Sequence, residues 1–183
     1  MAKNMSLSIY MLSETDQETF ISFWSSKYQY SLENLYSENI QQPFNENSVT
    51  KLFIWKNGKN LSSAKLQSVK NNYVALLENL PQLQNLEQGK HFFDQLNGGL
   101  IWNFFWLHCI NPQLFPIFDQ HTYRACQLID EDRLSEIDEL KVAQKVDFYF
   151  NNYIPFFNQF QNNNNRRIDK ALFMFGKFLK TWK

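Results

Sequence analysis

The sequence contains one stretch that is apolar on every side, Leu100 to Ile110, in which only Asn103 and His108 are polar. A helix of this composition has no face suited to solvent, so the stretch predicts a central core helix. It is too short to cross a bilayer, because a transmembrane helix needs about 20 apolar residues. The dipeptide Gly98-Gly99 precedes the stretch, and Asn111-Pro112 is expected to end it.

The composition favours an all-helical protein. The chain has 183 residues, of which 17% are aromatic, with five glycines and five prolines. So few turn-forming residues, combined with many apolar segments of helix length, argue for an all-α fold rather than a β-sandwich. A chain of this length can bury a substantial core. We expect one globular all-α domain over residues 1–183 with about seven to nine helices, built as one unit or as two small lobes that share a core.

Helical periodicity and turn residues divide the chain into segments. Ser13 is the expected N-cap of the first helix, and Gly58 is expected just after the end of the third. Pro155 is expected to end or kink an aromatic-rich helix. The helices predicted from these signals cover about Ser13–Lys27, Leu32–Tyr36, Ser48–Asn57, Ser62–Leu80, Glu87–Leu96, Leu100–Ile110, a helix that begins at Gln120, Val142–Phe157 and Arg166–Trp182.

The charge of the whole chain does not indicate a nucleic-acid partner. Lys plus Arg and Asp plus Glu both number 18, so the formal net charge is zero. The acidic run from Asp130 to Glu139 predicts a solvated loop that faces away from any ligand. The basic residues of the last helix predict a solvated face, with a phosphate-contacting patch as the alternative.

Cysteine and histidine usage bears on location and on metal binding. Cys109 and Cys126 lie in apolar helical surroundings, which predicts buried free thiols in a reduced cytoplasmic protein. His91, His108 and His121 lie on different segments without the short spacings of a zinc site, so no metal site is expected. The N-terminal residues contain no sustained apolar signal region, and we expect neither export nor membrane association.

A short polar motif follows the apolar stretch and its proline-containing loop. It reads Phe118-Asp119-Gln120-His121-Thr122-Tyr123-Arg124, and Asp119 stands at the expected N-cap of a new helix. The order is a glycine-containing hairpin, a buried helix, a loop, and then an apolar residue, Asp, one residue, His, two residues and Arg. This order resembles the helix-hairpin-helix (HhH-GPD) superfamily of DNA glycosylases. The resemblance covers residues 92–126.

The resemblance implies an enzyme of base-excision repair that hydrolyses the N-glycosidic bond of a damaged base, with no cofactor. Its partner would be double-stranded DNA with a flipped base, bound in a cleft between two lobes into which Asp119 opens. Asp119 would be catalytic, because an ionised carboxylate stabilises the positive charge that develops on the sugar. His121 and Arg124 would support it. The remaining assignments are Trp102, Phe105 and Trp106 for stacking on the base, and Asn97, Gly98 and Gly99 for holding the DNA backbone.

The hairpin departs from the family pattern in a way that affects the chemistry. It reads Leu96-Asn97-Gly98-Gly99-Leu100, and Ile101 or Trp102 lies near the position of the lysine that forms a Schiff base in strand-cleaving members. Without that lysine, a monofunctional glycosylase is expected. No cysteine follows Cys126, so the four-cysteine iron–sulfur cluster of some members is not expected either.

Each assigned residue also has a purely structural interpretation. Asp119 at an N-cap accepts backbone N–H bonds whether or not it is catalytic, and Arg124 is suited to an ordinary ion pair. His121 would be a hydrogen-bonded core histidine, the three rings would pack in the core, and the double glycine would be a plain turn. For the whole chain the alternative is a non-catalytic helical module on a degenerate glycosylase scaffold, which binds a protein partner.

Overall fold

A computed structural model describes residues 15–160 and 164–181. Within these ranges the chain is helical and contains no strand, which confirms the predicted all-α class. Two 3₁₀ segments (Val74–Asn79 and Ile137–Glu139) and one π-helical segment (Tyr149–Tyr153) accompany the α-helices. The α-helices are α1 (Gln17–Ser26), α2 (Glu33–Ser37), α3 (Glu46–Asn57), α4 (Ser63–Asn72), α5 (Leu86–Phe93), α6 (Leu100–Ile110), α7 (Gln120–Glu131), α8 (Val142–Phe148), α9 (Ile154–Phe157) and α10 (Asn165–Lys180). Since α8, the π segment and α9 form one continuous run, the described ranges hold nine helices, within the predicted number.

The apolar stretch forms α6 with the predicted bounds, and its residues 103–110 are all buried. Its two polar side chains are satisfied inside the core. Tyr73 Oη donates to Asn103 Oδ1 over 2.8 Å. Burial lowers the pKa of His108 to about 3, so its ring is neutral. Nδ1–H therefore donates to Phe115 O over 2.8 Å, and Nε2 accepts from Tyr36 Oη over 2.7 Å.

The high aromatic content builds the core around α6. Phe53 of α3 stacks on Tyr73 with 4.4 Å between ring centroids and meets the edge of Phe105 at 5.5 Å. On the other side, Phe104 stacks on Phe93 of α5 at 4.9 Å. Each buried aromatic side chain removes about 150–250 Å² from water, so such clusters supply most of the driving force for folding. Cys109 and Cys126 are buried free thiols, as predicted.

Helix α10 closes the fold on one side. It packs most extensively against α7, and α1 covers another part of its surface. At Gly176 the two helices approach so closely that an added Cβ atom would lie 1.8 Å from His121 O. Only glycine fits this contact, and it fixes α7 relative to α10.

The N-terminal end of α10 is tied to the first third of the chain through Arg166. Its guanidinium carbon lies 5.2, 4.6 and 5.1 Å from the ring centroids of Tyr28, Tyr36 and Trp55, within cation–π range of each. Glu33 accepts from Arg166 Nη2 at 2.9 Å. We call Tyr28, Glu33, Tyr36 and Trp55 the Arg166 cage.

Several predicted helix ends differ from the structure. The N-cap of α1 is Asp16, while Ser13 and Trp182 lie outside the described residues. The segment predicted as one helix over 62–80 breaks at Tyr73 into α4 and a 3₁₀ segment, and the one predicted over 87–96 ends at Phe93. Pro155 does not end its helix. It occupies the first turn of α9 directly after the π segment, where a missing N–H is tolerated.

Candidate active site at the start of helix α7

Asp119 is the N-cap of α7, as predicted from the sequence. Its Oδ1 accepts the backbone N–H groups of His121 at 2.8 Å and Thr122 at 3.2 Å. The Asp119 N–H in turn donates to Thr122 Oγ1 at 2.9 Å, which completes a capping box. The start of the helix therefore fixes Asp119 Oδ1, and this determines the direction in which Oδ2 points.

Three side chains fix the loop before Asp119 by hydrogen bonds to its backbone. Tyr149 Oη donates to Pro116 O, and Tyr153 Oη donates to Ile117 O, both over 3.0 Å. Asp169 of α10 accepts the Ile117 N–H on Oδ1 at 3.2 Å. All three are buried, so the position of Asp119 is fixed by packed helices rather than by the loop alone.

The second oxygen of Asp119 faces a lysine that the sequence did not indicate as a site residue. Lys56 Nζ, from the last turn of α3, lies 3.4 Å from Asp119 Oδ2 and 3.4 Å from Phe118 O. The Lys56 side chain is 8% exposed and that of Asp119 is 20% exposed. The pair is thus largely enclosed, with the carboxylate its more accessible member.

The surroundings keep Asp119 ionised. Burial acts to raise the pKa of this carboxyl, but the Lys56 ammonium, His121 and the two cap N–H groups outweigh burial and lower it below its usual value. The result is a carboxylate that is negative at neutral pH, oriented by hydrogen bonds and reachable from solvent.

His121 and Arg124 follow Asp119 on α7, and the structure connects both to α10. Burial lowers the pKa of His121 against the opposing effect of Asp119. Arg124 is 1% exposed; it donates to Gly176 O at 2.7 Å and to His121 Nδ1 at 3.3 Å. Its Nε also donates to Glu136 Oε1 at 3.1 Å. Arg124 therefore fastens α7 inside the fold and presents no donor to a ligand.

The acidic run is less solvated than predicted. Ser135 and Ile137 are buried, and Glu136 between them carries the ion pair with Arg124. A buried arginine needs a carboxylate partner, and the chain supplies it from this run.

Two of the three rings predicted to stack on a base lie in the core instead. Phe105 and Trp106 are 0% exposed, so neither offers a face to a ligand in this structure. The physical reason is that α6 is surrounded by other helices on the side of both rings. Trp102, one turn earlier, is only half-buried; its ring packs on Phe53 at 5.2 Å, and Lys65 Nζ lies 5.7 Å from its centroid.

The Asn97–Gly99 turn, predicted to hold the DNA backbone, has exposed residues as well as a glycine that the core requires. Asn97 and Gly99 are exposed. An added Cβ at Gly98 would lie 1.9 Å from Tyr73 Oη, so this glycine is required by the core. At Gly99, by contrast, an added Cβ would meet nothing within 4 Å.

Two surface cavities of the described chain lie apart from this site. One surface cavity of about 290 Å³ lies between the 79–83 segment and α5, and another of about 410 Å³ lies between α7 and α8; neither is lined by Asp119.

Among the described residues no three His, Cys, Asp or Glu side chains are grouped to hold a metal. None of the helices in these ranges combines the length and apolar character that crossing a membrane requires.

Comparisons with protein-family models, with curated proteins and with solved structures found no match. The function is therefore argued from the geometry around Asp119.

Proposed function

We propose that this protein is a monofunctional DNA N-glycosylase that hydrolyses the bond between a damaged base and its deoxyribose, with Asp119 as the catalytic carboxylate. One observation carries the proposal: Asp119 is ionised, held by two N–H groups at the start of α7, and still 20% exposed. A preorganised anion of this kind stabilises positive charge that develops in a transition state.

In the proposed reaction the bond between the base nitrogen and C1′ breaks, and both electrons leave with the base. The sugar becomes an oxocarbenium-like cation beside Asp119 Oδ2, the oxygen that the cap leaves unused. Water then bonds to C1′ from the open face, and its proton passes through Asp119 or solvent to the departing base. No covalent enzyme intermediate is needed, which fits a site whose hairpin has no lysine at the Schiff-base position.

Lys56 has two opposing effects on this chemistry. Its ammonium helps to keep Asp119 ionised in a partly buried place, but it also offsets part of the negative field that the sugar would experience. Its second acceptor, Phe118 O at 3.4 Å, allows the ammonium to stay bound to the loop while the sugar approaches Oδ2. We propose that Lys56 orients Asp119 and is not itself a nucleophile.

Fewer of the residues assigned from the sequence are accessible for contact with the DNA substrate. Phe105 and Trp106 are excluded from base stacking by burial, so Trp102 is the one assigned ring with accessible surface. Double-stranded DNA with an extruded base, bound in a cleft between two lobes, remains the proposed substrate arrangement. Asn97 and Gly99 remain candidates for holding its backbone.

A non-catalytic interaction module is the second candidate, and the Lys56–Asp119 pair is the observation that favours it. An ion pair that satisfies both members, with Arg124 also bound internally, is sufficient to stabilise the start of α7. On this interpretation, the removal of the Asp119 charge alters stability and nothing else.

The experiment is a single-turnover excision screen of duplexes that carry different base lesions, with wild-type protein and Asp119→Asn. We expect excision of at least one lesion, and a loss of about 100- to 1000-fold in rate for Asp119→Asn. Asp16→Asn is the matched control, because Asp16 is likewise an N-cap carboxylate that accepts from a backbone N–H. Excision of no lesion, or equal rates for wild type and Asp119→Asn, contradicts the proposal.

A further inference from the structure

One segment of this sequence carries positive charges only, although the chain as a whole has no net charge. Between Lys56 and Leu77 the chain carries the four lysines Lys56, Lys59, Lys65 and Lys70 and no acidic residue. The segment spans the end of α3, the turn after it and α4. Because the chain as a whole has no net charge, this local excess is a distinct electrostatic feature.

Two of these lysines form ion pairs within the described residues, and the other two do not. Lys56 pairs with Asp119, and Lys70 Nζ pairs with Glu46 at 2.7 Å. Lys59 and Lys65 are exposed, and no ion pair within residues 15–160 and 164–181 includes either of them. Both ammonium groups are therefore available to an anionic partner.

The turn that carries these two lysines is ordered by Asn57. Its Oδ1 accepts from Lys65 Nζ at 2.6 Å, and its Nδ2 donates to Lys59 O at 2.8 Å. Gly58, with φ of 76°, provides the left-handed residue that the turn requires. Lys65 Nζ also lies 5.7 Å from the centroid of the half-buried Trp102 ring. We call Asn57, Lys59, Lys65 and Trp102 the basic corner.

The basic corner begins one residue after the lysine of the Asp119 site. Asn57 directly follows Lys56, whose ammonium contacts Asp119 Oδ2 and Phe118 O. Exposed lysines beside an aromatic ring are suited to a phosphodiester strand, which presents regularly spaced charges together with flat bases.

We propose that the basic corner binds the phosphodiester backbone of DNA next to the nucleotide at Asp119. Lys59 and Lys65 neutralise phosphates, and the exposed part of Trp102 packs against a sugar or base. Lys59 and Lys65 are not among the residues that the sequence assigned to the DNA backbone. The inference rests on the proposed function for the identity of the ligand, but its test does not depend on catalysis.

The test measures equilibrium binding to a fluorescent duplex that contains a tetrahydrofuran abasic-site analogue, which no glycosylase can cleave. Wild type is compared with Lys59→Gln/Lys65→Gln and with a control of equal charge, Lys90→Gln/Lys141→Gln, whose lysines are also exposed. Affinities are measured between 50 and 200 mM salt. If two phosphate contacts are lost, the slope of log K against log salt falls by about 1.8, and affinity at low salt falls about tenfold or more.

The result that overturns the inference is a basic-corner variant that binds like wild type or like the control variant. Wild-type protein that binds no duplex also overturns it, as does lysine-dependent binding to anionic phospholipid vesicles alone. Lys59→Gln is measured by itself as well, because its side chain makes no bond within the turn, and circular dichroism checks the fold of each variant.

Failure of the two proposals can be told apart. If no lesion is excised but duplex binding depends on Lys59 and Lys65, the glycosylase proposal fails and the basic corner stands. If a lesion is excised and the basic-corner variant retains full affinity, the glycosylase proposal stands and the DNA backbone is bound elsewhere. Asp119→Asn is expected to bind the analogue duplex without a tenfold loss in either case.

Discussion

Lys56 and Asp119 are 63 positions apart in the sequence and meet between α3 and α7, with 3.4 Å between Nζ and Oδ2. The lysine side chain is the more enclosed of the two, at 8% exposure. Removal of the carboxylate therefore leaves a nearly buried ammonium whose remaining acceptor is Phe118 O. The cost of that unpaired charge must be separated from any catalytic effect at this site.

A double-mutant cycle makes this separation. We expect Asp119→Asn and Lys56→Met each to lower the free energy of unfolding by about 1–3 kcal/mol, less than for a fully buried pair because Asp119 is partly exposed. The double variant is expected to lose less than the sum, since no charge is left unpaired. Urea unfolding provides the stabilities. Strictly additive losses would show that the two groups do not interact.

The contact between α7 and α10 gives a prediction for two glycines. Gly176→Ala places a methyl group against His121 O, so we expect a loss of about 1–3 kcal/mol from overpacking. It should also displace the start of α7 and slow excision. Gly99→Ala is the matched control, because its site is open and its φ is −66°; its stability should stay within about 1 kcal/mol of wild type. Equal effects of the two substitutions would contradict the close approach at Gly176.

Arg124 gives a prediction that distinguishes support of the fold from contact with DNA. Arg124→Lys keeps the charge but loses the planar fork that binds Glu136 and Gly176 O together, so we expect a loss of about 3 kcal/mol in thermal or urea unfolding. Arg133 is exposed, lies just after the same helix and donates to Gln127 Oε1 at 2.6 Å, a hydrogen bond that a lysine ammonium can also make; Arg133→Lys should therefore change stability by less than about 0.5 kcal/mol.

One result would contradict the structural role predicted for Arg124. If Arg124→Lys unfolds like wild type but binds the analogue duplex more weakly, then Arg124 contacts DNA and its internal bonds are dispensable.

Asp169 predicts a specific dependence of stability on pH. Burial raises the pKa of Asp169 to about 7, against the opposing effects of Arg166, the Ile117 N–H and Lys56, while Asp119 acts in the same direction as burial. Between pH 3.8 and 7 the folded state binds a proton that the unfolded state releases. The stabilisation is therefore complete below about pH 4 and is lost as the pH rises through 7.

Asp169→Asn keeps an acceptor for the Ile117 N–H but cannot ionise. We expect its melting temperature to rise relative to wild type as the pH increases from 5 to 8. A difference between the two proteins that does not change over this range would show that Asp169 does not titrate there. The neutral His108 ring contributes a loss of stability as the pH falls below about 6.5, which is a separate and opposite trend.

The sequence predicted those features that depend on neighbours along the chain. The bounds of α6, the N-cap at Asp119 and the left-handed Gly58 all follow from local patterns, and the structure confirms them. Lys56 could not be recognised, because its partner is on another helix and it occupies an ordinary position in the last turn of α3. Asp169 could not be recognised from the sequence either, because it lies among the basic residues of α10.

For Trp102, Phe105 and Trp106 the sequence left two interpretations open, base stacking and core packing. An amphipathic helix shows which of its faces is buried, but α6 is apolar all round and so carries no such signal. Only the packing of α3 and α5 around it shows that Trp102 is half-buried while Phe105 and Trp106 are enclosed.

The Arg166 cage has a consequence for how the chain folds as it is synthesised. Glu33 and Arg166 are 133 positions apart, and the second cation that pairs with Glu33, Lys170, lies on the same helix as Arg166. Both cations therefore leave the ribosome long after Glu33 has been synthesised. Until then the N-terminal helices hold an unpaired acidic residue between aromatic side chains. We expect these helices to remain loosely packed during elongation and to become native only after α10 has emerged, so that the N-terminal helices do not fold ahead of the rest of this fold.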